Sequence, residues 1–206
     1  MITIIDYGAG NLTSVKRALD YLNIPSVISA DPSTILKSER IIFPGVGNAE
    51  SATETLRATG IDRALSSAVA RGTPTMGICL GTQIILDSSE EGSSTCLGLI
   101  PGRCVQFRLA DKSLKIPHMG WNDITIARSH YVLKDVRPED EFYFVHSYYP
   151  QPSNARHVIA TCSYEIDFPA AIGMDNIFAT QFHPEKSGPA GLTLLKNFAE
   201  WDGSSC

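Results

Sequence analysis

Cys79 stands in Gly77-Ile78-Cys79-Leu80-Gly81, with a glycine two residues to either side and the run Thr73-Pro74-Thr75-Met76 before it. This spacing lets a strand turn sharply into a helix without side-chain collision, the shape of a nucleophile elbow with cysteine in the serine position. At such a corner the unpaired backbone N–H groups and the positive end of the helix dipole favour a thiolate. The same N–H groups, that of Leu80 foremost, are placed to donate to the oxygen of a tetrahedral intermediate. Nucleophilic attack on a carbonyl is the chemistry expected. The plainer alternative is a small buried residue, which is what most free cysteines are. That reading is given to Cys96, Cys104, Cys162 and Cys206, none of which has the same context.

A thiol nucleophile needs a base, and His183-Pro184-Glu185 supplies a candidate. Proline biases the residue before it toward extended backbone. In an extended segment residues i and i+2 project to one side, so the Glu185 carboxylate is expected beside His183, fixing its tautomer and stabilising the imidazolium. The alternative is a solvated surface histidine next to a solvated glutamate. His118, His130, His146 and His157 have no acidic residue two positions on and read as structural or surface residues.

These side chains must be delivered by a scaffold, and short apolar, β-branched runs alternate with helical patterns through the first half of the chain. That alternation is the signature of parallel strands joined by crossover helices, so an α/β sheet is expected. Ile2-Thr3-Ile4-Ile5 reads as the first strand, followed by the turn Gly8-Ala9-Gly10-Asn11 and a helix carrying Val15, Leu19 and Leu22. Ile41-Ile42-Phe43 begins another strand, ending at Pro44-Gly45-Val46-Gly47-Asn48 before a helix from about Ala49 to Ala70, with Gly60 as a point of interruption. Thr73 to Ile78 reads as a central strand leading into Cys79, with a helix from Leu80 to about Leu86 behind it. The carboxyl ends of parallel strands lie along one edge of a sheet, which is where Cys79 and His183 would meet. After Ser88, glycine turns and alternating strands (Phe142 to His146, His157 to Thr161, Ile177 to Gln181) suggest an antiparallel extension. Gly188 to Trp201 closes the chain as a helix, with Leu192, Leu195 and Phe198 near one face.

The 206 residues, 43% of them hydrophobic, suit one globular domain spanning 1–206, with a core large enough to hold such a site. A formal net charge of -5, with no basic run, offers no attraction to nucleic acid or an acidic membrane surface. Five widely spaced cysteines without a C-x-x-C pair suggest neither a disulfide framework nor a zinc site, so a reducing cytoplasm is the expected home. Met1 leads directly into Ile2-Thr3-Ile4-Ile5 and Asp6, which gives no sign of a secretory leader.

Taken together, Gly-Ile-Cys-Leu-Gly-Thr-Gln at 77–83 and His-Pro-Glu at 183–185 resemble the triad-type class I glutamine amidotransferases. Further stretches make the chain most similar to the branch whose glutaminases serve a cyclase in histidine biosynthesis. They are Asp6 to Asn11, Pro44 to Ala49, Met119-Gly120-Trp121-Asn122, Phe144 to Tyr149 and His183 to Ser187. The resemblance spans nearly the whole chain and implies a flavodoxin-like three-layer architecture, a mainly parallel central sheet flanked by helices. It implies a catalytic triad of Cys79, His183 and Glu185, with no metal or organic cofactor. It also implies an oxyanion hole from Leu80 and the strand-end loop of Gly45, Val46 and Gly47, the second donor being the Val46 N–H. Glycines on both sides of Val46 would let that peptide reorient, so the hole is expected to be incomplete until a partner's substrate binds.

By the same resemblance Gln83, Glu91, Ser147 and Tyr148 hold the substrate L-glutamine, a carboxylate at 91 suiting its ammonium group. Trp121 and Lys186 match positions that face a partner cyclase with a (β/α)8 barrel fold, in a heterodimer with an internal ammonia passage. Their alternatives are a core tryptophan and a solvated lysine. Rival readings of the chain are a glutaminase for another synthase, such as that for pyridoxal phosphate, a γ-glutamyl hydrolase, or a non-catalytic binding module with a redox-sensitive Cys79.

Overall fold

The computed structural model describes residues 1–204, and Cys206 therefore lies outside the described residues. From the amino terminus the chain runs β1 (Ile2–Ile5), α1 (Leu12–Tyr21), β2 (Ser26–Ser29), α2 (Pro32–Leu36), β3 (Arg40–Gly45), α3 (Ala49–Thr59), α4 (Ile61–Ala70), β4 (Thr75–Cys79) and α5 (Leu80–Ile84). Short strands dominate the remainder: β5 (Ser88–Ser89), β6 (Ser94–Thr95), β7 (Gly102–Gln106), β8 (His118–Asp123), β9 (Thr125–Ile126), β10 (Glu141–His146), β11 (Tyr148–Pro152), β12 (Val158–Tyr164), β13 (Ile166–Met174) and β14 (Ile177–Thr180). The chain closes with α6 (Gly188–Glu200).

An eight-stranded sheet carries the fold in the order β2-β1-β3-β4-β14-β13-β12-β9. The first five strands are mutually parallel, and β13, β12 and β9 extend the sheet antiparallel. This is the mainly parallel sheet with an antiparallel extension expected from the sequence. β3 shows why two layers of helix are needed. Ile42 faces a core shared with α1 and α6, whereas Ile41 and Phe43 face the opposite core with α3 and α4. All three are fully buried, as strands covered on both faces must be.

The segment 49–70 breaks at the expected point: it is two helices, because Gly60 adopts φ +73° between them, a left-handed turn that glycine takes without steric penalty. Asn48 starts the first of them by accepting from the N–H groups of Glu50 and Ser51. Three other details differ from the sequence reading. The helix after Cys79 is five residues long and stops at Ile84. The Phe142–His146 segment does not join the main sheet; it pairs antiparallel with β8 as a separate ribbon. In the closing helix the inward face is Leu194, Leu195 and Phe198, with Leu192 only partly buried.

Candidate active site

Four carboxyl-terminal strand ends converge at one edge of the sheet, those of β1, β3, β4 and β14, with Gly45 opposite Cys79 and Thr180 opposite Ile78. Cys79 is buried, with φ +54° and ψ −109°, a conformation that L-residues adopt only where surrounding structure enforces it. The enforcement comes from the flanking glycines. A Cβ at Gly81 would overlap the Phe43 carbonyl, and one at Gly77 would press on Ala179 and the Thr82 nitrogen at 3.0 and 3.2 Å. The glycines thus allow α5 to pack directly on β3 and β14, and that packing fixes the corner.

His183 and Glu185 lie against this corner. The His183 ring nitrogen Nδ1 is 2.8 Å from Glu185 Oε1, with both side chains at most 2% exposed. The route differs from the extended one expected. His183 is extended, at φ −100° and ψ 95°, but Pro184–Lys186 form a single 3-10 turn that swings the carboxylate back to the imidazole. Ser187 locks this turn, donating to the His183 carbonyl (2.6 Å) and accepting from the Tyr143 N–H (3.0 Å). With Nδ1–H directed at Glu185, Nε2 is buried and has no hydrogen-bond partner among the described residues, and His183 and Cys79 line one cavity. Burial alone would lower the His183 pKa. The neighbouring Cys79 and Glu185 groups outweigh it and raise His183 above the usual histidine range.

A cavity of about 340 Å³ opens over these groups. Of the positions singled out from the sequence, Cys79, His183, Val46, Gly47, Leu80, Gln83, Glu91, Ser147 and Tyr148 all line it. Gly45 lies behind the wall: a Cβ there would meet the Tyr7 hydroxyl, Leu80 and the Gly81 nitrogen. Gly47 has φ +104° and open space around it. The two glycines therefore serve different ends, close packing at 45 and backbone freedom at 47.

Gln83 is not a free hand in the pocket. Its Nε2 donates to the Tyr148 carbonyl (2.9 Å) and to Gln181 Oε1 (3.1 Å), leaving its own oxygen as the available polar atom. Glu91 Oε2 accepts from the Ala49 N–H (2.7 Å), which ties the carboxylate to the start of α3 directly behind the Pro44–Asn48 loop.

Two further residues belong to this site although the sequence reading did not select them. Gln181 is fully buried, and with its oxygen held by Gln83 its Nε2 donates to Cys79 Sγ at 3.7 Å. Its place two residues before His183 on the same strand end was the available signal. His146, read as structural or surface, lines the cavity. Its Nδ1–H donates to the Tyr148 carbonyl (2.8 Å), and its Nε2 accepts from His118 Nδ1 (3.2 Å). Burial lowers His146 to about 3 and His118 to about 4, so both are neutral at physiological pH. The other histidines and the remaining described cysteines lie outside the cavity lining.

Outside the pocket, Trp121 is 53% exposed and meets Tyr143 edge to face at 6.0 Å, while the Lys186 ammonium lies over that ring, 5.6 Å from its centroid. Trp121 is thus no core residue; the buried tryptophan is Trp201. No helix among the described residues is long and apolar enough to cross a membrane.

The comparisons with known proteins agree with this geometry. The sequence model of the family described as glutamine amidotransferase class-I matches residues 3–201. The imidazole glycerol phosphate synthase subunit HisH of Nitratidesulfovibrio vulgaris strain Miyazaki F is 51% identical over 203 residues, covering 96% of this chain and 95% of that protein. The subunit of the same name from Geobacillus kaustophilus is 46% identical over 202 residues, covering 96% and 95%. Among solved structures, a crystal structure of a glutamine amidotransferase superposes with a TM-score of 0.77 at 17% identity, covering 98% of this chain and 100% of that one. A chain from the structure of PurLQS from Thermotoga maritima gives 0.69 at 19% identity, covering 97% of each. The chain belongs to the class-I glutamine amidotransferase family.

Proposed function

We infer that this chain is the glutaminase subunit of an imidazole glycerol phosphate synthase, a single amidotransferase domain that hydrolyses L-glutamine and passes ammonia to a cyclase in histidine biosynthesis. The observation that carries the chemistry is the buried line Glu185, His183, Cys79 opening onto one cavity. Curated relatives at 51% identity over nearly the full length supply the pathway.

The Cys79 thiolate attacks the side-chain amide carbon of glutamine, and the carbonyl π pair moves to oxygen. The Leu80 N–H and, once its peptide is turned inward, the Val46 N–H stabilise that oxyanion. Protonated His183 gives its proton to the departing nitrogen as the C–N bond breaks, leaving ammonia and a γ-glutamyl thioester. His183, held in its tautomer by Glu185, then takes a proton from water as it attacks the thioester, the C–S bond breaks and glutamate leaves. Glu91 faces the substrate ammonium, and backbone groups at Ser147 and Tyr148 face its α-carboxylate. Gln83 and His146 hold the Tyr148 carbonyl that shapes this wall.

Ammonia that escapes into water is largely protonated and lost as a nucleophile, so the acceptor must be docked over the cavity. The partner is a (β/α)8-barrel cyclase forming a heterodimer with this chain. It uses the ammonia on a phosphoribosyl-formimino imidazole-carboxamide ribonucleotide. Exposed Trp121, with Tyr143 and Lys186, offers an aromatic and cationic docking edge beside His183.

The test is glutamate release by the chain alone, with the cyclase, and with the cyclase plus the ribonucleotide. The expected outcome is strong turnover only in the last case and none from Cys79→Ala under any condition. Equal glutamate release by Cys79→Ala would refute the assignment.

A further inference from the structure

Tyr7 lies in the turn between β1 and α1, and none of the chemistry above employs it. Its side chain is 4% exposed and its ring packs on Phe43 with centroids 5.5 Å apart. Its hydroxyl is buried and has no hydrogen-bond partner among the described residues. The place it occupies is specific. A Cβ added to Gly45 would overlap this hydroxyl, and would also lie 2.9 Å from Leu80 Cβ and 3.1 Å from the Gly81 nitrogen. The phenolic oxygen therefore sits under the oxyanion loop, between Gly45 and the first turn of α5.

A buried hydroxyl without a partner is destabilising, and phenylalanine would fill the same space without that penalty. A polar group kept at such a position calls for a partner in another arrangement of the same site. The oxyanion loop provides one. In the trans Gly45–Val46 peptide the carbonyl and the N–H point opposite ways, so an N–H aimed into the cavity places the Gly45 carbonyl on the other side of the strand, away from the substrate. That carbonyl then needs a donor there.

We propose that the Tyr7 hydroxyl is that donor, a latch that receives the Gly45 carbonyl and holds the oxyanion loop in its competent arrangement. Tyr7 is thus a positioning residue, acting on the reaction through the Val46 N–H. Burial, and next the charge of Cys79, raise its pKa above the usual tyrosine value, so the group remains a donor throughout the working pH range. The proposal rests on the reading that the Val46 peptide reorients when the partner's ligand binds.

The experiment uses the complex with the cyclase and compares the parent with Tyr7→Phe. Glutamine kcat and KM are measured with and without the ribonucleotide, and each protein's thermal midpoint is recorded. The expected result is an unchanged or higher midpoint for Tyr7→Phe, an unchanged KM, and a ligand-stimulated kcat lower by roughly five- to tenfold, the loss of one hydrogen bond. A purely structural role would lower the midpoint and activity together. A parent stimulated by the ribonucleotide alongside an equally stimulated Tyr7→Phe overturns the latch alone, and would point to the Gly81 N–H as the donor instead. A parent that shows no stimulation overturns the loop reading and the latch with it.

Discussion

The β4 end that carries Cys79 and the β3 end that carries Val46 lie side by side, with Gly45 opposite Cys79, yet they are held in different ways. At the Cys79 corner the backbone is strained but enclosed: the thiol is buried, and both flanking glycines are pressed by neighbouring main chain. At the Val46 end the side chain is 40% exposed and Gly47 turns through φ +104° with nothing beside it. Strain persists where packing over-determines it, whereas an open glycine turn can exchange conformations at small cost. Under the proposed function, a fixed thiol beside a movable oxyanion donor makes a site whose chemistry can be gated without disturbing the thiol.

The largest test of this contrast is a pair of alanine substitutions. Gly81→Ala forces a methyl into the Phe43 carbonyl, so either β3 or α5 must shift. A loss of about 3 kcal/mol or more in urea unfolding is expected, together with loss of glutaminase activity. Gly47→Ala meets no atoms and bears only the penalty of an L-residue at positive φ, about 1 kcal/mol. Its main effect is expected on ligand-stimulated turnover. Equal stability losses at the two positions would remove the distinction between the ends.

A smaller effect sharpens the fixed side. Gln181→Met keeps the length of the side chain but removes the N–H that points at Cys79 Sγ. A hydrogen bond to an ionised acceptor is worth about 1.5 kcal/mol, so kcat should fall by about tenfold with KM little changed. Gln181→Glu should be worse, since it sets a carboxylate beside the thiolate. An unaltered kcat in both variants would reduce Gln181 to a packing role.

The elbow was legible in the sequence because its requirements are local: glycine at 77 and 81, an apolar strand before and a helical run after. His183-Pro184-Glu185 was legible for the same reason, although the 3-10 turn that joins its two side chains was not. What the sequence concealed depends on partners distant along the chain. An alternating run such as Phe142–His146 specifies a strand but not its neighbour, and here the neighbour is β8 in a separate ribbon. Ser26-Val27-Ile28-Ser29 is a half-buried edge strand with too few apolar residues to register as one. Gln181, Tyr7 and His146 are single polar residues in apolar or aromatic surroundings. Apart from the nearness of Gln181 to His183 in sequence, only burial and contacts across the fold, 102 residues apart for Gln181 and Cys79, separate them from surface polar residues.

The mildest prediction concerns pH. His118, His130 and His146 are lowered by burial from 6.5 to about 4, 4 and 3. The unfolded chain binds protons at these positions where the native state does not, so their contribution to stability is intact above pH 6.5 and is lost as pH falls toward 4. His183 has the opposite sign. Its pKa is raised, so its contribution is complete below 6.5 and is lost as pH rises through the folded value. Thermal midpoints measured across this range should decline on both sides. Cys79→Ala, which removes the thiolate partner, should flatten the alkaline decline and leave the acidic one. An alkaline limb unaffected by that substitution would show that Cys79 and His183 are not coupled.

The most direct measurement is rapid-quench mass analysis of the complex after mixing with glutamine, with and without the partner's ribonucleotide. The expected result is a γ-glutamyl adduct on the peptide that contains Cys79 and on no other cysteine, formed faster when the ribonucleotide is bound. An adduct at Cys96, Cys104 or Cys162, or acylation of Cys79 at the same rate in both conditions, would contradict a fixed nucleophile served by a movable oxyanion donor.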